Sequence, residues 1–358
     1  MAALKSALLF ILQSIVVGLA VAFLIVVLRP ELLPAIGSSA PASYADAVDK
    51  SAAAVASVTT KRLVESSAAP DERKRFRVET SYGSAVVIDS QGYLVTNYHV
   101  VAQAAEITVQ LSDGRQTIPQ LVGVDAETDL ALLKVDLGTM PAVSLGNSGR
   151  IRIGDVVLAI GNPYGLTKSV TQGIVSGTGR GIPNLTTFAD FIQTDAAINA
   201  GNSGGALVNT DGELVGINTA VLDQNIRSAR TEGISFAIPV DLVRGVVREI
   251  REHGRVIRGW LGLEPDDMTS AERTARGIER DVGILLSEVY RGGPADKAHM
   301  QAGDVITAIN GEPISDSNQA RLLVARITPG EEVDITGIRN GKEFHTTLIA
   351  AERPGSPD

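Results

Sequence analysis

The sequence contains no cysteine. That excludes disulfides, thiolate catalysis and zinc sites of the cysteine type, so any fold the chain adopts is held by its core alone. A basic surplus is also missing: 32 Lys and Arg stand against 41 Asp and Glu, a formal net charge of −9. Without positive charge to neutralise phosphates, a nucleic-acid partner is not expected. His299 and His345 have no Asp, Glu or His at ligand spacing, so no metal is expected. Gly173, Gly177, Gly179 and Gly181 cluster around Arg180, but no helix signal follows at phosphate-loop spacing. A nucleotide is not expected either, and the sequence implies no cofactor. The cluster reads as a mobile loop, since glycines lower the cost of switching backbone states.

What is present divides the chain. Its 358 residues suffice for two domains and an anchor. Residues 7–28 are an almost unbroken apolar run, and at ~1.5 Å rise per residue they extend ~33 Å as a helix, enough to span a bilayer. A signal peptide would have a shorter apolar core followed by a small-residue cleavage site. Here Arg29-Pro30-Glu31 follows directly, so a retained transmembrane helix is expected, with Ser38-Ser39-Ala40 as a conceivable later cleavage point. Residues 29–43 are rich in Pro, Ala and Ser and read as a linker. Ala45, Val48, Ala52 and Val55 are spaced for one helix face between Tyr44 and Ala56. Lys61 to Arg77, with the run Asp71-Glu72-Arg73-Lys74-Arg75, reads as a solvated loop. From Tyr82 onward short apolar runs alternate with turn signals, which indicates an all-β barrel or sandwich. Two sets, Ser81 to Leu145 and Ile151 to Ile238, predict two barrels. Pro239 to His253 has helical spacing with Gly254 as its stop.

The chemistry gathers at Asn199-Ala200-Gly201-Asn202-Ser203-Gly204-Gly205. A nucleophilic serine needs an exposed Oγ and amide N–H groups aimed at a developing oxyanion, and glycines permit the sharp turn this requires. Gly201 and Ser203 are the expected oxyanion-hole donors. The pattern also fits the nucleophile elbow of α/β-hydrolases, but that elbow opens into a helix and has its histidine downstream. Here a hairpin signal follows, and His99 lies upstream. Asp129 falls between them, giving the order His99, Asp129, Ser203 of the chymotrypsin type. In that arrangement Ser203 attacks, His99 takes its proton and returns it to the leaving amine, and Asp129 fixes the tautomer of His99.

Thr96-Asn97-Tyr98-His99-Val100, Thr128-Asp129-Leu130-Ala131-Leu132-Leu133-Lys134 and Gly201-Asn202-Ser203-Gly204-Gly205 are together highly specific. They, their order and the C-terminal region resemble the HtrA family of trypsin-like serine proteases, of the membrane-anchored, stress-sensing DegS/AlgW type, over nearly the whole chain. The resemblance implies a mainly β fold: a trypsin-like double β-barrel protease domain over 44–254, then a PDZ domain over 256–352, with the N-terminal transmembrane helix over 7–28. It implies an N-terminus in the cytoplasm, a single pass through the inner membrane, and catalytic and PDZ domains in the periplasm. The segment from Tyr44 would build a homotrimer interface, or simply pack on its own barrel. By the same resemblance Ala196-Ala197-Ile198 floors the pocket for the residue before the scissile bond. With Ala197, Ile198, Ile234 and Phe236 lining it and no acidic residue there, cleavage after small apolar residues such as Val or Ala is expected.

The C-terminal signals resemble a PDZ domain: Gly259-Trp260-Leu261-Gly262-Leu263 as the peptide carboxylate loop, Gly293-Pro294-Ala295, Ala302-Gly303-Asp304-Val305-Ile306 and the Asn310-Gly311 hairpin. Such a domain adds a peptide as an extra strand. Trp260 is either core or a peptide contact, and His299-Met300 stands where the family has small and apolar residues. Arg180 is a candidate contact between the regulatory loop and this domain, or a solvated arginine. The resemblance implies activation by C-termini of misfolded outer-membrane proteins and a first cut in a membrane-bound anti-sigma factor, starting an envelope stress response. The alternatives are a general periplasmic quality-control protease, or a non-catalytic scaffold or chaperone that binds C-termini.

Overall fold

The computed structural model describes residues 2–28, 43–66, 75–162, 168–180, 190–199, 201–219, 233–278 and 282–354. Most of the expected linker 29–43 and of the charged run from Asp71 lies outside the described residues. The chain divides into two units, Met1–Tyr44 and Ala45–Asp358. The first holds one helix, α1 (Ala2–Leu28), with side chains described for part of it and Phe10, Leu19 and Phe23 exposed. Among the described residues, which take in the side chains of only part of α1, no helix is long and apolar enough to cross a membrane.

The second unit starts with α2 (Ala45–Ser51) and a 3₁₀ turn at Ala52–Ala54. The expected helix is shorter than its apolar spacing suggested. The β-branched residues Val55, Val58, Thr59 and Thr60 turn the chain into a strand. Seven strands follow: β1 (Val55–Ser66), β2 (Arg75–Val87), β3 (Tyr93–Asn97), β4 (Glu106–Gln110), β5 (Gln116–Thr117), β6 (Gln120–Asp125) and β7 (Leu130–Lys134). They form one sheet in the order β5-β4-β1-β2-β3-β7-β6. The sheet begins well before Ser81 and does not close as the expected barrel would. Ile118-Pro119 separates β5 from β6, and proline has no N–H to give a closing ladder.

The solvated loop expected over 61–77 is a correction too. β1 and β2 pair from Val55↔Val86 out to Ser66↔Arg75, so the described residues of that stretch, 61–66 and 75–77, are paired strand. Cross-strand pairs make the charged sequence compatible with strands: Leu63 lies opposite Val78, and Arg62 opposite Glu79, where the two charges meet at 2.9 Å.

A second set of six strands closes into a barrel in the order β10-β13-β12-β11-β8-β9. These are β8 (Val156–Gly161), β9 (Ser169–Arg180), β10 (Phe191–Thr194), β11 (Ala206–Val208), β12 (Leu214–Thr219) and β13 (Ser235–Pro239). Val157, Val175, Ile192, Leu207 and Val215 fill it. The short helix α3 (Tyr98–Val101) follows β3, and α4 (Val240–His253) follows the barrel. Pro239 caps α4 at its start and Gly254, at φ 76°, ends it in the left-handed conformation. Its buried face is Val240, Val243, Val246, Val247 and Ile250.

The C-terminal region begins with β14 (Gly259–Trp260), β15 (Leu263–Asp266), α5 (Ser270–Ala275), β16 (Ile284–Val289) and α6 (Pro294–Lys297). It continues through β17 (Val305–Ile309), β18 (Glu312–Pro313), α7 (Ser317–Ala325), β19 (Glu332–Arg339), β20 (Lys342–Ile349) and β21 (Ala351–Glu352). Its main sheet runs β15-β16-β17-β19-β20, so β15 is an edge strand. The Asn310-Gly311 turn joins β17 to β18, with both residues at positive φ. His299 also takes a positive φ of 57°, and Met300 is buried in the core with Leu261, Ile284 and Ile306.

Candidate active site

The expected catalytic aspartate sits in the turn between β6 and β7 at φ 58°, the left-handed region that Asp tolerates better than most residues. This conformation presents both ends of the residue to the segment carrying His99. The Asp129 carbonyl accepts from the Tyr98 N–H at 3.0 Å and from Asn97 Nδ2 at 3.1 Å. Its carboxylate accepts from the His99 N–H at 2.9 Å, and Oδ2 lies 2.7 Å from His99 Nδ1. An ionised carboxylate only accepts, so the proton belongs on Nδ1 and Nε2 is left as the basic nitrogen. Thr219 Oγ1, at the end of β12, donates to the same Oδ2 at 3.1 Å. Asn97 and Thr219 are both buried. Asn97 stands in the segment that carries His99, whereas no motif marks Thr219, a small polar residue at the end of an apolar strand.

Ser203 lies in a turn with Gly201 at φ 96° and Gly204 at φ 81°. The Asn202 N–H donates to Asn199 C=O at 3.0 Å, and the Gly205 N–H to Asn202 C=O at 2.9 Å. β11 and β12 then pair as a hairpin, so the serine does not open a helix. A Cβ on Gly204 would fall 2.1 Å from the Ser84 carbonyl oxygen and 2.3 Å from Thr96 Oγ1. The glycine is therefore required both by backbone conformation and by close approach of the first sheet.

Of the pocket residues, Ala197 C=O accepts from Thr171 Oγ1 at 2.8 Å, and the Ile198 N–H donates to Ser235 Oγ at 3.3 Å. Ile198 packs on the barrel core. Phe236 is buried with its ring 5.9 Å from that of Phe191, whereas Ile234 is exposed. The nearest carboxylate in sequence, Asp195, accepts from the Ile174 N–H at 2.6 Å.

The turn that carries Asp129 has a further support that sequence reasoning missed. Asp125 is buried and takes Arg258 Nη1 on Oδ1 at 2.8 Å, with Arg258 Nη2 and Thr128 Oγ1 both on Oδ2. Arg258 Nη1 also reaches Glu127 at 3.1 Å, and Arg353 Nε meets Glu127 at 2.9 Å. Both arginines belong to the C-terminal segment.

The glycine cluster expected as a mobile loop is instead strand up to Arg180, where β9 ends, because pairing with β8 and β10 holds it in the barrel; the Arg180 side chain lies outside the described residues. Gly179 and Asp190 line a cavity of about 910 Å³, with α4 on one side and Ala325, Arg326 and Ile327 on the other. Burial pushes the Asp190 carboxyl above its ordinary value, and Arg326 offsets part of that shift.

At the expected carboxylate loop, Gly259 and Trp260 belong to β14 and pair with β21. Leu261 is core, Gly262 makes the turn at φ 73°, and Leu263 opens edge strand β15. Trp260 is half-buried, its ring 5.7 Å from that of Tyr290. Among the described residues no group of three or more His, Asp or Glu side chains could hold a metal ion.

Comparison with known proteins agrees with this division. Residues 83–217 match the trypsin-like peptidase domain family and residues 259–349 the PDZ domain family. A probable periplasmic serine endoprotease, DegP-like, from Pseudomonas putida is 45% identical over 280 residues, 78% of this chain and 58% of its own length. A protein of the same description from Halomonas elongata is 41% identical over 276 residues, covering 77% of this chain and 57% of its own. The chain thus spans less than two thirds of these relatives. Among solved structures, the HtrA-type protease AlgW with tripeptide is 47% identical with a TM-score of 0.77, covering 88% of this chain and 98% of that one. The serine endoprotease from Yersinia pestis is 38% identical with a TM-score of 0.66, covering 88% of this chain and 100% of that one.

Proposed function

From the premise that this chain belongs to the HtrA-type serine proteases, we propose that it is a periplasmic serine endopeptidase switched on by peptide binding. The observation that carries the reading is the 2.7 Å contact between His99 Nδ1 and the Asp129 carboxylate, in a chain that also presents Ser203 in a glycine-rich turn. Ser203 Oγ attacks the scissile carbonyl as Nε2 of His99 takes its proton. The N–H groups of Gly201 and Ser203 stabilise the oxyanion. His99⁺, held by Asp129, then protonates the leaving amine, and water releases the acyl group by the same route.

The protease unit is assigned to 44–254 and the PDZ unit to 256–352. A peptide C-terminus docks at the Leu261–Gly262 turn and adds as a strand along β15, whose outer edge pairs with no other strand among the described residues. The solved structures of the HtrA-type protease AlgW with decapeptide and with tripeptide support peptide binding. The ligand class is the C-terminus of a misfolded outer-membrane protein, and the substrate a membrane-bound anti-sigma factor. The apolar α1 serves as a single-pass anchor in the inner membrane, and the protease assembles as a trimer. Arg180 belongs to the segment that relays the peptide signal.

Active-site labelling tests the chemistry. A fluorophosphonate should label the wild-type protein and leave Ser203→Ala unlabelled. Labelling of the variant would remove Ser203 from the mechanism. Mapped cleavage sites should follow Val or Ala. Clustering after Arg or Lys would refute the assigned pocket.

A further inference from the structure

Ser84 lies on β2, fully buried, and each of its polar groups ties a different segment of the site. Its Oγ donates to the Gly201 carbonyl at 2.7 Å and accepts from the Asn162 N–H at 2.9 Å. Its N–H donates to the Ser203 carbonyl at 2.7 Å. Its own carbonyl accepts from Thr96 Oγ1 at 2.7 Å, three residues before His99. The residue links the sheet that carries His99 to the turn that carries Ser203, and to the end of β8.

The significance lies in what a glycine-rich turn lacks. Gly201 has no side chain to resist rotation of its peptides, so the orientation of N–H and C=O around Ser203 must be imposed from outside. Three consecutive carbonyls in this turn are each fixed by a hydrogen bond: Gly201 by Ser84 Oγ, Asn202 by the Gly205 N–H, and Ser203 by the Ser84 N–H. A carbonyl turned inward would set negative partial charge against the developing oxyanion. Only the first of these ties is made by a side chain. We propose that Ser84 is a positioning residue of the oxyanion hole, acting through the Gly201 carbonyl that its hydroxyl holds.

The proposal rests on Ser203 being the nucleophile. Its test compares full-length wild type, Ser84→Ala and Ser84→Thr at saturating activating peptide. The readouts are kcat and KM on a peptide amide, the affinity of a peptide boronate that forms a tetrahedral adduct, and the melting temperature. Removing one oxyanion donor outright costs on the order of 100-fold in kcat, so loss of its positioning group should cost about 10- to 100-fold. For Ser84→Ala that loss is expected in kcat with KM within about twofold, and boronate affinity should fall in parallel. Ser84→Thr, which keeps a hydroxyl, should recover most of both. An unchanged kcat, or a loss confined to KM or melting temperature with boronate affinity intact, would overturn the proposal. If Ser84→Ala does not fold, Ser84→Cys takes its place, and absence of the kcat-selective loss there is equally decisive. Ser203→Ala, run alongside, separates the two ideas: activity surviving in that variant rejects the nucleophile assignment itself.

Discussion

At the residue scale, the Asp129 carboxylate is the best-tethered group in the site. It meets His99 twice and Thr219 once. Thr219→Val keeps the shape and removes the Oγ1 bond, so one carboxylate oxygen loses a partner and the imidazolium is held less well. A hydrogen bond to a charged group contributes about 1.5–3 kcal/mol, so kcat/KM should fall by about 10-fold or more, with KM little changed. Steady-state kinetics on the purified variant checks this, and an unaltered kcat/KM would assign Thr219 to packing alone. His99, Asp129 and Ser203 could be proposed from the sequence because each stands in a motif with its own chemistry. Thr219 and Ser84 could not, because a buried small polar residue in a strand carries no local signature of what it reaches across space.

At the element scale, α4 was legible from its apolar spacing, its proline start and its glycine stop. The β1–β2 hairpin was not. Its charges mimic a solvated loop until Arg62 is seen opposite Glu79 and Leu63 opposite Val78. The β9–β10 pair carries a pH prediction. Asp190 has its carboxyl raised by burial, with Arg326 offsetting part of the effect. A raised value in the folded state means that ionising the group opposes folding. The penalty is absent below the ordinary carboxylate range and is felt in full once pH has risen past the folded value. Asp190→Asn should therefore raise the melting temperature at neutral pH and leave it unchanged in acid, around pH 3. Calorimetry at both pH values checks the sign. A variant less stable at neutral pH would show that the Arg326 attraction outweighs the burial cost.

At the scale of the whole molecule, two sets of short strands ahead of a C-terminal domain were legible from turns and motifs, but the sequence predicted two barrels and only the second set closes. The tie between these parts was not legible. Arg258 and Asp125 are 133 positions apart, and neither is unusual in its own neighbourhood. Both are buried, with side chains 8% and 4% exposed, so the pair is strongly desolvated. Arg258→Ala leaves Asp125 buried with its main counter-charge gone, a change that typically costs about 3–5 kcal/mol. Urea denaturation should register that loss. A variant within about 0.5 kcal/mol of wild type would mean that water takes the place of the guanidinium.

The proposed activity is that of a serine protease governed by peptide binding at its C-terminal domain. The most direct test is the rate at which residues 44–358 cleave an unfolded apolar protein while peptides with apolar C-termini are titrated in, with Ser203→Ala as control. The account predicts a low basal rate that rises saturably with peptide and is absent in the variant. A substantial rate indifferent to every peptide would contradict the regulation, and peptide binding without cleavage of any substrate would contradict the catalysis.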